Sequence, residues 1–331
     1  MSRLIVKDSI HASAVCKAWY KSSVSIQIKS IHLLFMKLHL SSRTKGSCEL
    51  YDPSQDTTHT IEFPELASMR VYYSKDGWLL MQKKRSSEMF FFNPFTRTLI
   101  NLPTCYNESA IFTCAPTSSS CLVFGLTNID INRNIVGVNT FRFGEIQWTT
   151  THFISHERFF AYYNKIIFSG GLFYCLGGFG SLAVFDPSKH TWNSHCLKYD
   201  EDFSTSTKIP IWFGTYFLEI KRDIFLLRNL GEKPRVFRLN RDGDWNWEEK
   251  EKNKDWLTIF GASCASEFRS DLANDMKNKL FLTESRHPMV TTYFFDEGKY
   301  LPGTSCIPAC GRKTMIESVW IEPPKQCLDF I

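Results

Sequence analysis

One local pattern recurs along the chain and constrains the fold more than any other feature. In each copy an apolar run ends in Asp or Asn, usually before Pro and a polar turn, and a second apolar or Trp-bearing run then returns. Asp and Asn accept hydrogen bonds from the backbone that follows them, and Pro presets φ, so each copy predicts a β-hairpin. Four copies of the pattern lie at Leu50–Ser54, Phe91–Phe95, Val184–Ser188 and Phe294–Asp296. Two looser copies lie at Phe141–Glu145 and Phe237–Asn240.

The spacing of these turns indicates a closed array of blades. Asp52 and Asn93 are 41 residues apart, Gly144 and Asp186 are 42 apart, and the other intervals are 51 to 56 residues. Four-stranded propeller blades repeat about every 40–50 residues, and loop insertions lengthen some intervals. A closed ring also protects strand edges that an open array would expose. We therefore predict an all-β protein, a β-propeller of about six blades, with a pair of β-sandwiches as the structural alternative.

Two further observations support the ring. A strand-like run precedes the hairpins, as at Gly77–Met81 and Leu122–Leu126, so each unit consists of strand, loop, strand, turn and strand. The first unit lacks its early strands, and Val319–Ile321 near the C-terminus is placed to supply one and close the ring. The 28 phenylalanines suit pleated, half-buried surfaces.

Composition narrows the partners and the compartment. The net charge of +5 is spread along the chain, and the compact basic cluster Lys83–Arg85 lies between two apolar runs, as a solvated loop would. We therefore predict no nucleic-acid partner. The eleven cysteines form no Cys-x-x-Cys pair, and no apolar leader precedes them, so an intracellular, reducing compartment is expected, which is the cytoplasm, the nucleus or both.

One segment has the length of a membrane span. Ile166–Phe185 carries no charge over twenty residues. Its paired glycines, Gly170-Gly171 and Gly177-Gly178, indicate turns between short strands instead. We predict no membrane contact and keep a transmembrane helix as the alternative.

No motif predicts chemistry. Cys306 and Cys310 lack the second pair that a zinc site of this type needs. Gly177–Gly180 lacks the Lys-Ser/Thr of a phosphate-binding loop, so a hairpin turn is expected there. The repeated Asp residues already have a role in turns. We predict a non-enzymatic binding protein with no catalytic residue, cofactor or metal, and the alternative is a propeller enzyme or sugar binder.

The N-terminal residues differ from the rest of the chain. Between residues 6 and 30 apolar side chains recur largely at helical spacing, and Asp8 or Ser9 is placed to cap a helix. We divide the chain into a short α-helical segment, residues 1–30, and a propeller, residues 31–331.

Particular motifs add a family resemblance. Val15–Trp19 resembles the Val-Cys-Lys-x-Trp end of an F-box helix. The remainder resembles the KIB-type β-propeller domain of plant F-box proteins, a domain of unknown function. The resemblance covers nearly the whole chain and is carried by Tyr51–Ser54, Tyr73–Leu80, Phe91–Arg97, Ala115–Ser119 and Val184–Ser188.

The resemblance implies a role in ubiquitin transfer. An F-box binds the Skp-type adaptor of a cullin-based ligase, while the propeller holds a target protein. Ala14, Val15, Cys16 and Trp19 are the implied adaptor contacts. The Leu-Pro-x-Glu-type segment that opens an F-box has no counterpart here, so the adaptor contact is expected to be incomplete. Two expectations stay open: a substrate-recognition subunit of an SCF-type (Skp-cullin-F-box) E3 ubiquitin ligase, or a stand-alone protein-interaction propeller.

Overall fold

The computed structural model describes residues 33–39, 46–84, 86–161, 165–178, 180–197, 215–229, 233–243, 245–250, 258–261, 266–269, 276–284, 287–302 and 316–322. Within these residues the chain forms β-strands and one 3₁₀ turn, Pro64–Leu66. The strands are β1 (Leu34–His39), β2 (Ser47–Asp52), β3 (Thr57–Glu62), β4 (Met69–Lys75), β5 (Trp78–Lys83), β6 (Met89–Asn93), β7 (Thr98–Leu102), β8 (Ser109–Phe112), β9 (Leu122–Asp130), β10 (Ile135–Arg142), β11 (Thr149–Ile154), β12 (Ile166–Ser169), β13 (Leu172–Leu176), β14 (Leu182–Asp186), β15 (Thr191–His195), β16 (Thr215–Ile220), β17 (Asp223–Arg228), β18 (Arg235–Asn240), β19 (Asn246–Glu249), β20 (Thr258–Gly261), β21 (Ser266–Arg269), β22 (Lys279–Glu284), β23 (His287–Phe294), β24 (Lys299–Pro302) and β25 (Ile316–Ile321).

The strands form six separate sheets, which we number as blades in chain order. Blade 1 has the order β25-β1-β2-β3, blades 2 to 5 each contain four consecutive strands from β4 to β19, and blade 6 has the order β21-β20-β22-β23-β24. The inner strands β25, β4, β8, β12, β16 and β21 contact one another in that order. The predicted six-bladed propeller is confirmed, and the β-sandwich alternative is wrong.

Blade 1 is built from both ends of the described chain. β25 pairs antiparallel with β1, so that Leu34 lies opposite Ile321 and Phe35 opposite Trp320. The prediction that Val319–Ile321 closes the ring is confirmed.

The recurring turns join the two outer strands of the blades. The side-chain Oδ1 of Asp52 accepts a hydrogen bond from the backbone N–H two residues later at 2.8 Å. Asn93 does so at 2.9 Å, Asp186 at 2.9 Å and Asn240 at 2.8 Å. Asp296 differs, because its carboxylate accepts from the Asn278 amide. The shared geometry explains why one sequence pattern marks successive blades.

The sequence pattern omits the innermost strand of blades 2 to 5. The predicted unit has three strands, whereas blades 2 to 5 each have a fourth strand at the ring axis. The uncharged segment Ile166–Phe185 forms β12, β13 and most of β14, with a turn at Gly170 (φ 58°) and Gly171 (φ 84°). Among the described residues no helix is long and apolar enough to cross a membrane.

The core is divided among the six boundaries between blades. Each boundary is filled by its own cluster of buried apolar side chains. Between blades 3 and 4, for example, the rings of Phe124 and Phe173 stack with centroids 4.1 Å apart. Trp78 and Phe91 are fully buried between blades 2 and 3. Burial of apolar surface therefore holds each blade to the next.

Candidate protein-interaction face

Blade topology gives the ring two different faces. In an antiparallel blade the turns from the first to the second strand and from the third to the fourth lie at one end. The other end carries the turn between the second and third strands and the connection to the next blade. We call the first end the turn face and the second end the loop face.

The turn face consists largely of short, similar connections. The inner hairpins of blades 2, 4 and 5 are two-residue turns at Asp76-Gly77, Gly170-Gly171 and Lys221-Arg222, and both residues of each turn have positive φ. Positive φ at both positions is the mark of a type I′ turn, which matches the twist of the paired strands. Connections this short leave little room for variation. The connection from β8 to β9 in blade 3 is the longer one on this face, with nine residues, 113–121.

The loop face carries the long connections. Eleven residues link β11 to β12, nineteen link β15 to β16, and thirteen link β24 to β25. Loops on a rigid scaffold are where proteins usually place recognition residues. The loop face is therefore the candidate interaction face.

The N-terminal segment joins the ring on the opposite side. Leu34 begins β1 and pairs with Ile321 at the end of β25, and both residues lie at the turn face. Residues 1–32 are thus connected to the propeller at the turn face, so the loop face lies on the other side of the ring.

Charged side chains cluster where blades 1 and 2 meet at the loop face. Lys84 Nζ lies 3.9 Å from Glu317 Oε1. Burial raises the pKa of Glu317, and the charges of Lys84 and Arg70 oppose that rise. Arg70 also donates to the carbonyl of Glu108 at 3.0 Å. Lys84 thus ties blade 2 to blade 1, and Arg70 ties blade 2 to the segment before blade 3, so the cluster links neighbouring blades.

A buried polar network fixes the segment that crosses from blade 2 to blade 3. The Tyr72 hydroxyl lies 2.5 Å from the carbonyl oxygen of Asn107 and 2.6 Å from Gln82 Oε1. Asn139 donates to Asn107 Oδ1 at 2.8 Å, and Thr150 donates to Asn139 Oδ1 at 2.8 Å. The connection before β8 is therefore a rigid part of the loop face.

Several large apolar side chains are exposed beside this network. Tyr106, Ile129, Ile131 and Ile154 all lie at the loop-face end of blade 3. Sequence reasoning missed Ile129 and Ile154, because isoleucine in a strand predicts burial. A signal was present in β11, where Phe153 and Ile154 are adjacent. Successive side chains point to opposite sides of a strand, so the two cannot both pack into the same core.

The predicted site residues have mixed outcomes. Ala14, Val15, Cys16 and Trp19 lie outside the described residues, as do Cys306 and Cys310, so their roles stay predictions. Gly177 donates to the Ser181 carbonyl at 2.8 Å in the connection from β13 to β14, which confirms the predicted hairpin turn. Across the described ranges no group of three or more His, Cys, Asp or Glu side chains is arranged to hold a metal ion.

Known proteins match this chain along most of its length. The family model described as KIB1-4 beta-propeller matches residues 50–298. F-box protein At3g56470 of Arabidopsis thaliana is 35% identical, and the match covers 100% of this chain and 87% of that protein. F-box/kelch-repeat protein At3g18720 of the same plant is also 35% identical, and the match covers 100% of this chain and 84% of that protein. F-box/kelch-repeat protein At1g57790, also from Arabidopsis thaliana, is 33% identical, and the match covers 100% of this chain and 93% of that protein. The chain belongs to the KIB1-4 β-propeller family and is a relative of plant F-box proteins, as its motifs predict.

Proposed function

We propose that this protein is the substrate-recognition subunit of an SCF-type ubiquitin ligase inside the cell, and that the loop face holds the target protein. The names of its relatives as F-box proteins support the link to the ligase. The observation that carries the proposal is the entry of the chain at Leu34, on the turn face. An adaptor bound to residues 1–30 and a target bound to the loop face then occupy opposite sides of the ring.

The structure of the ring suits a spacer between two partners. Each of the six boundaries between blades has its own apolar core, and β25 closes the circle on β1. A close-packed interior of this kind resists deformation. The ring itself therefore separates its two faces by a nearly constant distance.

Co-purification with a Skp-type adaptor tests the proposal. We expect the full chain to retain the adaptor, and we expect Trp19→Ala or Val15→Asp to abolish retention, since a few buried anchors dominate such interfaces. Leu99→Ser, which changes an exposed side chain on blade 2, is the matched control and retains the adaptor.

A second version of the chain defines the outcomes. This version carries an added Leu-Pro-x-Glu-type segment and helix upstream of Met1. Binding by either version supports the ligase role, and binding by the extended version alone shows that the contact needs the whole motif. If neither version retains the adaptor, the ligase role is wrong and the protein is an interaction propeller without a ligase.

A further inference from the structure

Two cysteines lie opposite each other at the turn-face end of blade 3. They are Cys114 and Cys121, near the two ends of the connection between β8 and β9. These two strands pair antiparallel. The backbone N–H of Thr113 donates to the carbonyl of Leu122 at 3.1 Å, which continues the ladder one step beyond the strands in the same register. The next pair in that register is Cys114 with Cys121.

The register places the two cysteines where a disulfide can form. In an antiparallel ladder, hydrogen-bonded and non-hydrogen-bonded pairs alternate. Because Thr113 and Leu122 share a backbone hydrogen bond, the two cysteines take the non-hydrogen-bonded position that follows. Residues at such a position have Cα atoms about 4.5 Å apart in regular pairing. Disulfides join Cα atoms separated by about 4.4–6.8 Å, so the backbone needs little movement to bring the two sulfurs together.

Side-chain contacts agree with the register. Cys121 is fully buried in the core between blades 2 and 3, and Cys114 packs against the same core. The Cys121 thiol donates to the carbonyl of Cys114 at 3.1 Å. Burial raises the pKa of Cys121 to about 12, and the nearby Cys114 side chain adds to this rise through its charge and a hydrogen bond. The two thiols therefore lie close together on one side of blade 3.

The two thiols differ in their access to solvent. Cys114 is partly exposed, and its Sγ lies 3.5 Å from the Oγ of Ser120, an exposed residue of the same connection. Cys121 is enclosed by the core between the blades. A thiol must be accessible to react with a dissolved oxidant. Such an oxidant therefore reaches Cys114 first, and Cys121 is placed to react in a second step.

We propose that Cys114 and Cys121 are a redox modification site, which forms a reversible disulfide when a small-molecule disulfide such as oxidised glutathione oxidises it. The Cys114 thiolate attacks one sulfur of the oxidant, breaks its S–S bond and releases one small thiol. The Cys121 thiol then loses its proton to solvent, and its sulfur displaces the second small thiol from Cys114. The protein gives up two electrons and two protons, and the oxidant leaves as two thiols.

The disulfide closes residues 115–120 into a loop on the turn face, the side at which residues 1–32 join the ring. Disulfides inside cells are usually transient or redox-sensing, so a reversible bond fits a protein that we propose to act there. The inference goes beyond the proposed function and does not depend on it.

Equilibration of the full chain in buffers of graded reduced-to-oxidised glutathione ratio tests the proposal. The remaining thiols are alkylated, and the protein is digested with chymotrypsin for mass spectrometry. Cleavage after Phe112 and Phe124 gives the peptide 113–124, which contains Cys114 and Cys121 and no other cysteine. In oxidising buffer we expect this peptide to lose two hydrogens and take up no alkylating group. In excess reduced glutathione it should return to the doubly alkylated form.

Three variants assign the steps to the two sulfurs. Cys121→Ala keeps a small apolar side chain in the core and removes the second sulfur, so Cys114 is expected to retain one glutathione as a mixed disulfide. Cys114→Ser is expected to leave the buried Cys121 unmodified. Cys196→Ser is the matched control, because it removes an exposed thiol that follows β15 on blade 4. It should leave formation of the disulfide unchanged.

The proposal is wrong if the peptide stays doubly alkylated in the most oxidising buffer, or if the bond forms only after the protein is unfolded in urea. It is also wrong if Cys121→Ala prevents the reaction at Cys114. A bond that survives excess reduced glutathione would be a permanent link and would overturn the reversible site. The measurement needs no adaptor, so its failure leaves the test of the ligase role unaffected.

Discussion

Trp320 in β25 packs against Phe35 in β1 with ring centroids 5.0 Å apart, and this contact joins the last described strand to the first. The Trp320 ring also lies 4.8 Å from that of Phe260 in β20, and its Nε1 donates to the carbonyl of Gly261 at 3.3 Å. A single side chain therefore connects blade 1 to blade 6 at the point where the ring closes.

Trp320→Ala is expected to lower the free energy of unfolding by about 3–5 kcal/mol, the usual range for removing a large buried aromatic side chain. Trp320 is 1% exposed, so the change leaves a cavity between two blades. Urea denaturation followed by circular dichroism measures the loss.

Trp245→Ala provides the comparison. Trp245 is partly exposed in the turn from β18 to β19, away from the closure. We expect a clearly smaller loss for this variant. Equal losses for the two tryptophans would contradict a special role for the closure.

The turn at Asn93 is expected to depend on its side-chain acceptor. Asn93 is fully buried, and its Oδ1 accepts from the N–H groups of Phe95 and Thr96 at 2.9 and 3.1 Å. Asn93→Ala leaves those donors without their acceptor, so a loss of about 1–3 kcal/mol is expected in thermal or urea unfolding. Asn93→Asp keeps the acceptor, as Asp52 and Asp186 do in their blades, and should lose less. A larger loss for Asn93→Asp than for Asn93→Ala would show that the cost of burying a charge exceeds the contribution of the two hydrogen bonds in the turn.

The sequence predicted those parts of the fold whose local chemistry differs from their surroundings. Asp52, Asn93 and Asp186 mark outer turns because few residues both end a strand and accept hydrogen bonds from the following backbone. Other inner strands escaped detection for the opposite reason. β8, for example, is four residues long and carries no turn signal that recurs from blade to blade, so its position at the axis depends on packing against neighbouring blades.

The candidate site was harder to predict than the fold. Ile129 and Ile154 have the residue type of core positions, and only strand register and the side of blade 3 on which they lie reveal that they face solvent. The prediction of adaptor contacts at Val15 and Trp19 came from family resemblance alone.

Two glycines on one side of blade 3 are expected to respond differently to alanine. A methyl group at Gly125 would lie 2.1 Å from Asn107 Oδ1, so Gly125→Ala must displace Asn107 and break its 2.8 Å hydrogen bond with Asn139. We expect a loss of about 1–3 kcal/mol in the free energy of unfolding. At Gly137 the nearest atom is the end of the Ile129 side chain, at 3.2 Å, which can rotate away. Gly137→Ala should therefore lose much less, and a reversed order would mean that the Asn107 network contributes little.

His195 is expected to make stability depend on pH. Its imidazole stacks on Trp245, with centroids 4.1 Å apart and planes 10° from parallel. Burial lowers the pKa of His195 from its ordinary value of 6.5, and Glu157 partly opposes that shift. The folded state therefore binds a proton less readily than the unfolded chain does. The stabilising contribution is complete above pH 6.5 and declines as the pH falls through the lowered folded-state pKa.

Urea unfolding of the parent and of His195→Gln, from about pH 8 to about pH 5, measures this dependence. The free energy of unfolding of the parent should fall relative to the variant as the pH decreases. Trp245→Ala should weaken the same trend, because it uncovers the imidazole and restores its hydration. A parent that gains stability relative to His195→Gln on acidification would show that the interaction of His195 with Glu157 exceeds the effect of burial.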